Sequence, residues 1–126
     1  MKTFLATILL ALALQAQTPA ETEQAELNRA VNETAGSQID FIKALERHLA
    51  KYPESKQRLA IEKAIAKAAT EVNDNQRTVT YGLKVLAAEP NTTDLPLLDR
   101  VIRLLLDSDQ PGPAKQALEL TARYQR

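Results

Sequence analysis

Two prolines, Pro53 and Pro90, lie 37 residues apart in a chain that otherwise favours helix from residue 37 onward. Each follows a helical run. The residue before a proline is pushed out of the helical region, so each marks a place where a helix must stop. A turn at Val72-Asn73-Asp74-Asn75 falls between them, and Ser108-Asp109-Gln110-Pro111-Gly112 supplies another. Asp74 and Asp109 are 35 residues apart. Ala, Leu, Glu, Lys, Gln and Arg dominate the remainder, and these residues lose little freedom in a helix. Strand alternation is confined to Thr78-Val79-Thr80-Tyr81, inside a stronger helical period. The expected fold class is all-α.

The apolar positions place the helices. Residues 25–34 carry a thin stripe of Leu27, Ala30 and Val31, ended by Ala35-Gly36-Ser37. Ser37 reads as an N-cap, with Asp40 in the capping-box position. The helix it opens runs to about Lys51, with Ile39, Ile42, Leu45 and Leu49 inward and Phe41 beside them. Ser55 is the expected cap of the next, which continues to about Glu71 through Ile61, Ala64, Ile65, Ala68 and Val72. The fourth ends near Ala88 and turns Val79, Gly82, Leu83 and Leu86 inward. The fifth opens near Thr93 or Asp94, with Pro96 tolerated in its first turn. Leu98, Val101, Ile102 and Leu105 give it the strongest stripe in the chain, widened by Leu97 and Leu104. Pro113 is the expected start of the sixth, whose inward residues are Ala114, Ala117, Leu118, Thr121 and Ala122.

Pairs of helices recurring every 35–37 residues are the mark of a helical-hairpin solenoid, although an ordinary bundle also contains hairpins. The segment "VLAAEPNTT" resembles the junction between tetratricopeptide repeats, where one repeat's second helix ends and a proline precedes the next. "SDQPGPAKQALELTARY" resembles the central turn and second helix of such a repeat. The resemblance covers roughly residues 54–126. The chain departs from the pattern at Gly82 and Ala117, where a bulky aromatic is usual, and lacks a large residue near the start of the first unit. "LERHLAKYPES", "YGLKVLAAEPN" and "LLDRVIRLLLDSDQPGPAKQALELTARY" are also similar to the helical segment preceding a thioredoxin-like domain in some secreted bacterial proteins. That likeness implies a docking or spacing role and carries over no redox residue.

The N-terminus addresses the chain to export. Met1-Lys2 is a positive start, residues 4–14 are apolar and uncharged, and a small residue follows at Ala16. This order reads as a cleaved signal peptide over residues 1–16, with cleavage after Ala20 as the alternative. The apolar run is far short of the roughly 20 residues a membrane-spanning helix needs, so no stable anchor is expected. Residues 17–36 are then a polar segment with a weak helix, and 37–126 the repeat domain. The expected location is the periplasm or the cell exterior. Two sequons, at Asn32 and Asn91, matter only in a eukaryotic producer.

Composition excludes several chemistries. Sixteen Lys and Arg balance sixteen Asp and Glu, with no run of five like charges. Nucleic acid, which needs a basic footprint, is not an expected partner. There is no cysteine and one histidine, His48, so no metal centre is expected, and His48 reads as a partly exposed structural residue. Three glycines, at 36, 82 and 112, cannot form a phosphate-cradling loop, and no nucleophile motif is present. Charges such as Asp99 and Arg103 read as spaced helical pairs, worth roughly 0.2–0.5 kcal/mol.

The expectation is therefore a non-enzymatic protein-interaction or scaffold module without a cofactor. The first helices of the hairpins would present Arg58, Glu62, Arg100 and Arg103 to a protein partner. The alternative is the helical N-terminal appendage of a larger secreted thioredoxin-like protein. The last helix reads as open, and a missing C-terminal domain or a second copy of the chain would cover it.

Overall fold

The computed structural model describes residues 19–124. They contain six helices and no strand. The chain divides into two compact units between Glu33 and Thr34. The apolar run and the cleavage point after Ala16 lie outside the described residues. Among those described, no helix is long and apolar enough to cross a membrane.

The first unit holds α1, Pro19–Asn32. It begins six residues earlier than the apolar stripe implies. Its first residue is a proline, a residue that suits the first helical position. Gln24 Nε2 donates to Asn28 Oδ1 at 2.8 Å, and Leu27 is buried.

The second unit runs α2 (Gln38–Lys51), α3 (Arg58–Glu71), α4 (Asn75–Ala88), α5 (Leu95–Leu106) and α6 (Pro111–Tyr124). Each packs against the next in sequence. Acceptor side chains open three of them by taking an otherwise unpaired first-turn N–H. Ser37 Oγ accepts from Asp40 N at 3.2 Å, Asp74 Oδ1 from Arg77 N at 3.1 Å, and Asp94 Oδ1 from Leu97 N at 3.2 Å. Ser55 does not cap α3. It accepts from Gln57 N at 3.1 Å within a turn, and α3 starts three residues later with Gln57 as its cap. α6 begins at Pro111 rather than Pro113, because both prolines fit a first turn, and Ala114 N already closes that turn on Gln110 O at 3.2 Å.

Backbone geometry matches at two pairs of positions. Tyr52 ends α2 at φ −124°, ψ 69°, and Glu89 ends α4 at φ −123°, ψ 76°. Each precedes a proline, and each donates its N–H to the carbonyl four residues back. Asn73 and Asp109 both adopt left-handed backbone, at φ 58° and 56°. Each stands two residues ahead of a helix. Asn and Asp enter that region at the least cost among residues with a Cβ. Asp74 follows Asn73 and joins two helices: its N–H reaches Ala69 O at 2.8 Å, closing α3, while its side chain opens α4.

α3 is buried on two sides, through Ile61, Ile65, Ala66, Ala68 and Ala69. α4, α5 and α6 share one apolar cluster of Leu86, Leu98, Val101, Leu105, Ala117 and Leu120, with Val79, Leu83, Leu97, Ile102 and Tyr124 against it. The expected stripe of α5 is thus the heart of this cluster. Three inward assignments are corrected. Ile39 is 56% exposed, because the buried arc of α2 runs through Ala44, Leu45 and His48 on the other side of the helix. Leu118 is 68% exposed and Ala122 is exposed, because α6 faces inward along Ala117, Leu120 and Tyr124, and both lie 100° or more round from that line. His48 is buried rather than partly exposed, with its ring 4.9 Å from that of Tyr52.

Candidate functional site

A groove of about 880 Å³ opens between α3 and α5, the first helices of the two C-terminal hairpins. One wall is a single face of α3: Lys63, Ala66, Lys67, Thr70 and Glu71, spaced by three and four residues. The other is Pro96, Leu97 and Arg100 on α5. The α4–α5 junction, residues 89–94, closes one side. The groove exists there because Pro90 breaks the chain and Asp94 restarts it, so α5 begins only after the six loop residues 89–94 that separate it from α4. Thr92 Oγ1 accepts from Asp94 N at 3.1 Å and fixes that loop.

The polar groups of the groove are unequally engaged. Lys63 Nζ pairs with Glu89 Oε1 at 2.7 Å, tying α3 to the end of α4. Asp94 is occupied as the cap of α5, and Glu71 Oε2 accepts from Gln38 Nε2. Thr70 Oγ1 donates to Ala66 O at 2.9 Å. Arg100 Nη2 reaches Asn75 Oδ1 only at 3.4 Å, and its Nε is buried with no hydrogen-bond partner. Lys67 is exposed and forms no ion pair among the described residues. The arrangement has a part-apolar floor, acceptors already in use, and two under-used cationic donors on opposite walls.

Of the four residues expected to meet a partner, Arg100 alone lines this groove. Arg58 stands at the start of α3, its Nε 3.4 Å from Glu62 Oε1 and its Nη1 donating to Pro53 O at 3.0 Å. Glu62 is only 7% exposed, so it is a buried acid beside Arg58 and not a presented surface charge. Arg103 pairs with Asp99 at 2.8 Å on the exposed side of α5. The groove face of α3 lies about 100° round from the Arg58–Glu62 face. Lys63 and Lys67 were the legible sign of it: two cations one turn apart around a small Ala66.

A second polar cluster lies between α2 and α4. Arg77 donates from Nε and Nη2 to the two oxygens of Glu46, at 3.1 and 3.0 Å, and from Nη1 to Asp74 Oδ2 at 2.8 Å. Tyr81 Oη donates to Glu46 Oε2 at 2.8 Å. Burial raises the Glu46 carboxyl, but the hydrogen bonds from Arg77 and Tyr81 together with the Arg77 charge hold it below its ordinary value. Hydrogen bonds from Arg77 lower Asp74. Burial and the bond to Glu46 push the Tyr81 hydroxyl up to about 12. A bidentate arginine between two acids accounts for these shifts, so the cluster reads as a clamp joining alternate helices.

Among the described residues no group of His, Asp and Glu side chains is arranged to hold a metal ion. No protein-family model, curated protein or solved structure matches the chain.

Proposed function

We propose that the chain is an exported, non-enzymatic protein-interaction module of stacked helical hairpins, and that an extended segment of a protein partner lies in the groove between α3 and α5. The observation that carries this reading is the groove itself. It runs between the first helices of successive hairpins and has a part-apolar floor with polar walls. The repeated backbone supports the tetratricopeptide-like stacking: the caps at Tyr52 and Glu89 match, as do the left-handed residues Asn73 and Asp109. Side chains also join alternate helices, Arg77 to Glu46 and Tyr124 Oη to Leu86 O at 3.0 Å. Export rests on the order of charge, apolar run and small residue in the first sixteen positions.

A photoreactive residue placed at exposed Lys67 tests the groove in the producing cell. It should give a discrete adduct that the same residue at Lys115, on α6, does not. Identical adducts from both positions, or none from Lys67, would count against the groove.

The second reading, a helical appendage of a larger secreted thioredoxin-like protein, is favoured by the last hairpin. Leu95, Leu106 and Leu118 are 65%, 52% and 68% exposed there. Three exposed large apolar side chains on one hairpin are what a covering domain or second copy would bury. Reading the gene past Arg126 decides this: an in-frame Cys-x-x-Cys favours the appendage, and a stop codon the free module.

A further inference from the structure

We infer that the α3/α5 groove selects an acidic extended polypeptide segment, seating one of its carboxylates between Lys67 and Arg100. The inference rests on the groove being a peptide site and adds the chemistry of the peptide. Local charge complementarity at two donors carries it, since the lining as a whole holds three acids and three bases. Each acid already has a hydrogen-bond partner: Glu89 has Lys63, Asp94 the first turn of α5, and Glu71 Gln38. Two of the donors are not so engaged. Lys67 has no ion pair, and Arg100 Nε is buried without a hydrogen-bond partner. A buried guanidinium N–H left unmade is costly, and an incoming carboxylate oxygen would satisfy it. The two cations stand on opposite walls, one on α3 and one on α5, so a strand lying along the groove passes between them. Glu71 lies one turn beyond Lys67 on the same wall and keeps its charge, since its partner Gln38 is neutral, so a second acid there is repelled. One carboxylate seat follows, flanked by small or apolar residues against Ala66, Pro90 and Leu97.

The test is fluorescence anisotropy of the purified chain with labelled eight-residue peptides, a Ser/Val sequence carrying one central Glu and its matched Gln version. Binding of the Glu peptide should be about tenfold tighter, the size of one charge-assisted hydrogen bond. Lys67→Gln should remove most of that preference and leave the melting curve unchanged, since the side chain is exposed. Arg100→Gln should do the same to binding, while Arg103→Gln should leave it intact. Equal binding of the Glu and Gln peptides, lost on obstruction of the groove by Lys67→Trp, overturns the acidic preference and keeps the groove. A preference for Glu that survives Lys67→Gln and Arg100→Gln places the carboxylate elsewhere and overturns the inference. Absence of binding by either peptide, or tighter binding of a single-stranded oligonucleotide than of the Glu peptide, overturns it as well. In the first of these cases the groove reading still stands or falls by its own crosslinking experiment.

Discussion

Gly82 lies directly against Val101, so close that a Cβ built on Gly82 would sit 2.6 Å from Val101 Cγ2. This is where α4 crosses α5, and the missing side chain sets how near the helices approach. Leu97 Cδ1 stands 3.5 Å from the same point. No bulky side chain has room at this position.

Gly82→Ala separates two opposing effects. Alanine gains up to about 1 kcal/mol of helix propensity over glycine. Forcing a methyl into a filled crossing costs about 1–3 kcal/mol. Val101 is fully buried and β-branched, so it has little freedom to turn away. Packing should win, and the melting temperature should fall. Adding Val101→Ala should reverse part of the loss relative to Val101→Ala alone. A rise in melting temperature for Gly82→Ala by itself would show that the helices are not held this close.

Val101→Asp should be far more damaging. It places a carboxylate with no partner in the centre of the α4–α5–α6 cluster, at a cost of several kcal/mol unless the group is protonated or the site opens. A domain with about 5–15 kcal/mol in hand should lose much of its stability. Circular dichroism against temperature measures this. The matched control is Arg103→Gln, whose side chain is 71% exposed. Arg100 is not a neutral control, because its Nε is buried. If the two variants melt together, the stripe of α5 is not the core.

The turns were legible because they use residues with local chemistry. Asp74 and Asp94 cap the helices they precede, and the prolines after Tyr52 and Glu89 stop helices in matching geometry. The two-sided burial of α3 was hidden by alanine. Ala66 and Ala69 are as compatible with a surface as with a core, so the stripe of Ile61, Ala64, Ile65, Ala68 and Val72 accounts for only one of the two buried sides. Leu118 misled in the opposite way: a large apolar residue at helical spacing from Ala114 faces water because the neighbouring helix lies along Leu120. The groove itself is a property of the space between α3 and α5. The spacing of Lys63 and Lys67 marks one wall of it, but nothing within a single helix records the opposite wall.

Asn73 and Asp109 offer a test of the repeat at the level of the backbone. Both hold left-handed φ at the tight turns inside hairpins. Glycine takes that conformation freely, while alanine pays about 1–2 kcal/mol. At each position the glycine variant should melt above the alanine variant by a similar margin. A clear difference at Asn73 and none at Asp109 would break the equivalence of the two hairpins.

The last prediction follows from the Glu46–Arg77–Asp74–Tyr81 clamp and has two pH limbs. Glu46 and Asp74 titrate lower when folded than when unfolded. Their contribution is therefore full above the ordinary carboxylate range and is lost as pH falls through about 4 and below. Tyr81 behaves oppositely. Its folded hydroxyl is pushed up to about 12 from an ordinary value of 10.0, so its contribution is full below pH 10 and is lost as pH rises through the interval to 12. The clamp is partly solvent-exposed, so each limb should be modest, on the order of 1 kcal/mol. Urea denaturation across pH measures both. Arg77→Gln should flatten the acid limb, and Tyr81→Phe should flatten the alkaline limb while leaving the acid limb largely in place through the bidentate arginine. An acid limb that is undiminished in Arg77→Gln would mean that other carboxylates carry it and that the clamp does not join α2 to α4.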